Sequence, residues 1–213
     1  MSDGSGGNPI LETLGLFVLV FVLQAVAYVI GAAALMTGLF VLSPPLDHSP
    51  WTIVTSVYAH SGIGHLISNS IGLIVFGWPI ARATTRLRFH TFFILTGAFA
   101  GVTHILVTEF LLTLSGGGQT PGVLGASGAV FALMGYLIAG NRLSDGIAAR
   151  IEVPWWMTLL VFLILAAVVT IATGAPGVAL IAHFAGFLVG LLAGRAGVLE
   201  PERRRQRAGQ RSI

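Results

Sequence analysis

The chain has 213 residues, 55% of them apolar and only 9% charged, with a mean hydropathy of +0.90. A soluble domain carries about 25% charged residues, so composition selects a membrane protein. The absence of cysteine excludes disulfides, thiolate metal sites and a cysteine nucleophile, and the +3 net charge does not point to nucleic acid, because the arginines fall at the ends of apolar segments, as topology requires.

Residues 1–10 are polar and Gly/Ser-rich and read as a flexible N-terminal segment, with no basic start of a cleaved signal peptide. Runs of about 20 apolar residues read as membrane-spanning helices. The first is placed at Leu11–Ala32. Apolar character continues to Leu42, where Pro44-Pro45 stops any helix. The stretch 33–62 is too long for a tight turn and too apolar for a freely solvated loop. With Trp51 and Tyr58 it predicts a first loop half-embedded in the headgroup region.

The second span is placed at Ile63–Ala81, closed by Arg82, Arg86 and Arg88, and the third at Phe89–Leu112. An uncharged linker, Ser115–Gly122, leads into a short fourth span, Gly125–Asn141. Arg142, Asp145, Arg150 and Glu152 follow. The fifth span is Trp155–Thr173, and the sixth, after a tight turn at 174–177, is Gly177–Val198. The fold class is therefore all-α, a polytopic bundle of six helices over 11–198, with a basic tail over 199–213. Six spans put both termini on one side, and every arginine falls on that side. The positive-inside rule then predicts cytoplasmic termini in a plasma-membrane protein.

Topology also serves as a ruler, because an α-helix rises about 1.5 Å per residue. Counted from the first charged residue of each span, Ser127 lies roughly 22 Å above the inner boundary and His183 roughly 18 Å. Asn69 lies roughly 20 Å above it and His65 roughly 26 Å. In a hydrocarbon core about 30 Å thick, all four fall in one slab above the midplane. Intramembrane polar groups are costly and usually functional, and a serine, a histidine and two further hydrogen-bonding groups are the parts needed for acyl transfer.

The motifs Gly125-Ala-Ser-Gly128, His60-x4-His65-x3-Asn69 and Ala182-His183-x2-Gly186-x3-Gly190 resemble those of the rhomboid family of intramembrane serine proteases, over about 51–194. The resemblance implies a compact six-helix bundle that cleaves single-pass membrane proteins near the outer ends of their helices, after a small residue. Two positions depart from the family pattern. Trp51-Thr52 stands where members often have Trp-Arg, and Phe131 stands where many have tyrosine.

Ser127 is then the expected nucleophile and His183 its base. None of the eight acidic residues reaches mid-depth beside the sixth span, so a Ser–His dyad is expected in place of a triad. Asn69, His65 and the Ser127 backbone N–H are the expected oxyanion donors. Gly125 and Gly128 beside the serine, and Gly186 and Gly190 in a small-residue stripe, are expected to permit close helix packing. His60 is expected at the interface, His104 in a structural hydrogen bond, and His48 and His90 among headgroups. No metal or other cofactor is implied, since His-Glu-x-x-His is absent. The expected partners are single-pass substrates and the lipid bilayer, with the oligomeric state left open. A non-catalytic client-binding protein and a transporter lined by His65, His104, His183 and Glu109 are the competing readings.

Overall fold

The computed structural model describes residues 7–140, 154–174 and 178–200. Arg142, Asp145, Arg150, Glu152 and the tail beyond Glu200 lie outside them. The regular structure of the described residues is helical: α1 (Pro9–Val29), α2 (Ala33–Phe40), α3 (Thr52–Thr55), α4 (Ile63–Gly72), α5 (Trp78–Ala81), α6 (Arg86–Leu114), α7 (Ser127–Ala139), α8 (Trp155–Ala172) and α9 (Leu180–Arg195). Four stretches are long and apolar enough to cross a bilayer: α1, the α4–α5 stack over Ile63–Ala81, α6 and α8. The other two, α7 and α9, are shorter apolar helices. The expected polytopic helical bundle is thus what the chain forms.

Local chemistry sets the ends. The Asn8 side chain accepts from the Ile10 N–H at 2.9 Å, and Pro9 occupies the first helical position. Both features favour a helix start, so α1 begins before Leu11, and Ile10 is already buried. Thr85 likewise caps α6 by accepting from the Arg88 N–H, so that helix begins ahead of Phe89. Within the second span, Leu73–Gly77 forms a π turn. The cause is Pro79, which has no N–H to offer the Val75 carbonyl and cannot continue a regular ladder.

The first loop is not irregular throughout. It carries α2, α3 and a 3₁₀ turn at Ser56–Tyr58, and it buries Thr52, Ser56, Val57, Tyr58 and Ala59. Where an arginine is common in the family, Thr52 Oγ1 donates to the Ser49 carbonyl at 2.6 Å. Trp51 Nε1 donates to the Gly38 carbonyl at 2.9 Å, and Thr55 Oγ1 donates to that of Leu39. Hydrogen bonds to backbone therefore hold this loop.

The centre of the bundle is α7, whose Gly128, Ala129, Val130, Ala132, Leu133, Gly135, Tyr136 and Ala139 are all buried. A helix apolar on every face belongs inside. α9 packs chiefly against α7 and also against α6 and α8. α8 is peripheral: only Ala166 and Thr170 of it are buried. At one end of the bundle, Glu12 Oε2 accepts from Arg86 Nε at 2.7 Å and lies 2.8 Å from His90 Nε2. Arg88 donates to the Glu200 carbonyl, and the Leu199 N–H donates to the Tyr136 hydroxyl. The starts of α1 and α6 and the ends of α7 and α9 therefore share one end, as the span count requires. His90 bonds Glu12 there and does not simply meet headgroups or solvent. Leu199 and Glu200, assigned to the tail by sequence, belong to the packed body.

Candidate active site

Ser127 is the first residue of α7. A helix of 13 residues is about 20 Å long, too short for a core of about 30 Å, so α7 starts inside the bilayer. The chain reaches that depth through Gly116, Gly117 and Gly118, all at positive φ. It is then held by backbone pairing that local sequence pattern cannot announce. Leu42 and Val123 exchange both N–H···O bonds, at 2.9 and 2.8 Å, and the Gly125 N–H donates to the Ser56 carbonyl at 2.9 Å. The half-embedded first loop thus fixes the approach to Ser127.

The α7–α9 contact is built from glycine. A Cβ at Gly186 would collide with the Gly128 carbonyl, and one at Gly190 with that of Ala132. At Gly194 it would stand 2.5 Å from the Tyr136 carbonyl. The two backbones touch over three successive turns, the close approach that small residues permit between membrane helices. His183 lies on α9 one turn before Gly186, and it is buried. Its ring stacks on Phe131, with centroids 4.1 Å apart and planes at 19°. Phe131 follows Ser127 by one turn on the same face, so the imidazole lies against the first turn of α7.

His183 Nδ1 is buried with no hydrogen-bond partner. The titratable groups that act on His183 electrostatically are His65 and His104, and no carboxylate is among them. No side-chain hydrogen bond joins Ser127 to His183 among the described residues. Such bonds are often long in a free enzyme and tighten only with substrate.

α4 brings a polar face to the same place. The edge of the His65 ring covers Gly125: a Cβ at 125 would be 2.6 Å from Cε1 and 2.8 Å from Nε2. Gly125 also has φ +133°, so glycine is required there twice over. One turn after His65, Asn69 is buried, and its Nδ2 has no partner. Another turn on, Gly72 packs against Val130. A buried amide donor left unpaired costs about 1–3 kcal/mol, and a functional site is where such a group is retained.

Ser127 also lines a small cavity with Ser56, Val57, Gly97, Gly101 and Leu124. Gly128 packs on Ala100 of α6. His60, expected at the interface, is covered by the protein itself. It is 2% exposed and stands edge-on to Phe17 and to His65, with centroid distances of 4.7 and 5.2 Å. Neither ring nitrogen of His60 has a hydrogen-bond partner of ordinary geometry; the Tyr58 carbonyl interacts with it only at looser geometry. Its backbone N–H, however, donates to Gln24 Oε1 of α1 at 3.0 Å. His104 Nδ1 also lacks a partner, so the structural hydrogen bond expected of it is not found at that atom. Glu109 lies in a different cleft, with Ser43, Thr113 and Gln119. His48 is exposed.

The chain is 35% identical over 153 residues to RHOMBOID-like protein 12, mitochondrial, of Arabidopsis thaliana, a match covering 67% of this chain and 45% of that protein. It is 29% identical to RHOMBOID-like protein 5 of the same plant, over 71% of this chain and 45% of the relative. With RHOMBOID-like protein 4 the identity is 28%, over 78% and 39%. The chain thus spans less than half the length of these relatives. The Rhomboid domain model matches residues 47–199, a range that holds α3 to α9 and each of the polar side chains gathered around Ser127. On that match, and on a helical bundle with this packing, the chain belongs to the rhomboid family.

Proposed function

We propose that the chain is an intramembrane serine endopeptidase that cleaves transmembrane segments of single-pass membrane proteins with a Ser127–His183 dyad. The observation that carries this reading is the stacking of His183 on Phe131 across a glycine-only helix contact. It sets the imidazole beside the helix turn that Ser127 heads. In the reaction, Ser127 Oγ attacks the scissile carbonyl while His183 takes its proton. His183 then gives that proton to the leaving amine, and water releases the acyl group by the same route. The unpaired His183 Nδ1 supports a dyad without an orienting carboxylate.

Negative charge on the carbonyl oxygen needs donors that are already aimed. Asn69 Nδ2, His65 Nε2 and the Ser127 backbone N–H take that role. The first N–H groups of a helix have no intrahelical partner, and the helix dipole favours an anion there. Replacing Asn69 with Ala is expected to lower kcat about 10²- to 10³-fold, the usual effect of losing one such donor. KM should change little, and steady-state cleavage kinetics of purified variants test both numbers.

The lightly packed α8, which touches the rest of the bundle chiefly through α9, is the side from which a substrate helix enters from lipid. The clustering of arginine at one end of the spans, read from the sequence, supports cytoplasmic termini. The direct experiment is labelling with a fluorophosphonate in detergent. Label is expected on Ser127 of the parent and on neither Ser127→Ala nor His183→Ala. Absence of label from the parent would favour a non-catalytic client-binding protein.

A further inference from the structure

His65 and Asn69 lie one turn apart on α4, and Ser61 stands just ahead of that helix, whose N-terminal cap is Gly62. The orientation of His65 is defined at both ring nitrogens. His65 Nδ1 lies 3.1 Å from Ser61 Oγ. The opposite edge, Cε1 and Nε2, faces Gly125, with Nδ1 a full ångström farther from that point at 3.8 Å. A neutral imidazole carries one proton, and the hydrogen bond made by one nitrogen decides which tautomer is present.

We propose that Ser61 is a positioning residue whose hydroxyl donates to His65 Nδ1 and so keeps the His65 proton on Nε2, the nitrogen on the ring edge that covers Gly125. The claim rests on the reading of His65 as an oxyanion donor. With the proton on Nδ1, Nε2 would present a lone pair to the developing oxyanion and repel it. With the proton on Nε2, it donates. A serine hydroxyl rotates to suit and can serve as this donor, and because Ser61 is exposed its remaining lone pairs are met by solvent.

The surroundings hold this pair in place. The His60 N–H is anchored on Gln24 Oε1 of α1, which fixes the backbone beside Ser61. The His60 ring stands edge-on to His65 at 5.2 Å and limits its rotation. Gly125 provides the space for the Nε2 edge.

The test uses the full chain in detergent, labelled with ¹⁵N-histidine, with His65→Gln assigning the His65 resonances. The parent is expected to show the Nε2–H tautomer at His65, and Ser61→Ala a shift toward Nδ1–H. In cleavage of a model single-pass substrate, Ser61→Ala should lower kcat about three- to ten-fold, the scale of one hydrogen bond, at unchanged KM. Ser61→Thr, which keeps the hydroxyl, should restore both tautomer and kcat. A parent His65 protonated on Nδ1 overturns the proposal, as does an Ser61→Ala protein with parental tautomer and kcat. If the parent cleaves no faster than Ser127→Ala, the protease reading is what fails, and the tautomer measurement still decides the role of Ser61.

Discussion

Ser127→Ala, His183→Ala and the double variant are expected to lose cleavage by the same factor, at least about a thousand-fold. A general base alone contributes typically 10²- to 10⁴-fold, and a serine hydroxyl without its base is a weak nucleophile. Two groups that share one proton act as a unit, so removing the second after the first should cost almost nothing further. The geometry behind this expectation is local. His183 is held by its stack on Phe131 and by burial on α9, and Ser127 is held by the start of α7. Ser127→Ala removes no contact between the helices, so its thermal transition should stay close to that of the parent, whereas His183→Ala leaves a cavity beside Phe131 and should lower it. Initial rates on a purified single-pass substrate, measured over at least four decades, provide the comparison. Losses that multiply in the double variant would mean that the two side chains act independently, and the dyad would be wrong.

Much of this arrangement was legible in the chain itself. Apolar runs located the six helical spans to within a few residues, because a bilayer demands long uncharged segments whatever their neighbours. The shift of α1 to Pro9 and of α6 to Arg86 came from caps, Asn8 and Thr85, that hydropathy does not register. The close helix approach at Gly186 and Gly190 followed from four-residue spacing, a local property. What did not show was non-local. The exchange of hydrogen bonds between Leu42 and Val123 joins segments about eighty residues apart, and neither segment carries a strand pattern. The pairing of Glu12 with His90 is of the same kind. That Phe17 from α1 covers His60 is likewise a contact between distant segments. The Ser61–His65 contact lies within reach of an i, i+4 argument. It was hidden because Ser61 precedes the helix, whose N-terminal cap is Gly62.

The second large effect concerns a methyl group that touches none of the reacting atoms. Gly186→Ala is expected to lower kcat about 100-fold, although position 186 touches no substrate. The added Cβ would meet the Gly128 carbonyl, with the Gly128 Cα only 3.1 Å away. Both are backbone atoms of the central helix, so no side chain can rotate aside. α9 must move away from α7, and His183 moves with it. A displacement of about 1 Å at a catalytic group costs on the order of 10²-fold in rate, and overpacking a close contact typically destabilises by about 1–3 kcal/mol. Gly190→Ala meets the Ala132 carbonyl in the same way and should behave similarly. Gly15→Ala is the matched control: a Cβ there has nothing within 4 Å, and both rate and thermal midpoint should remain those of the parent. The effect should fall mainly on kcat, because the groups displaced are those that move the proton. A Gly186→Ala protein that cleaves at the parental rate would show that His183 does not depend on this contact for its position.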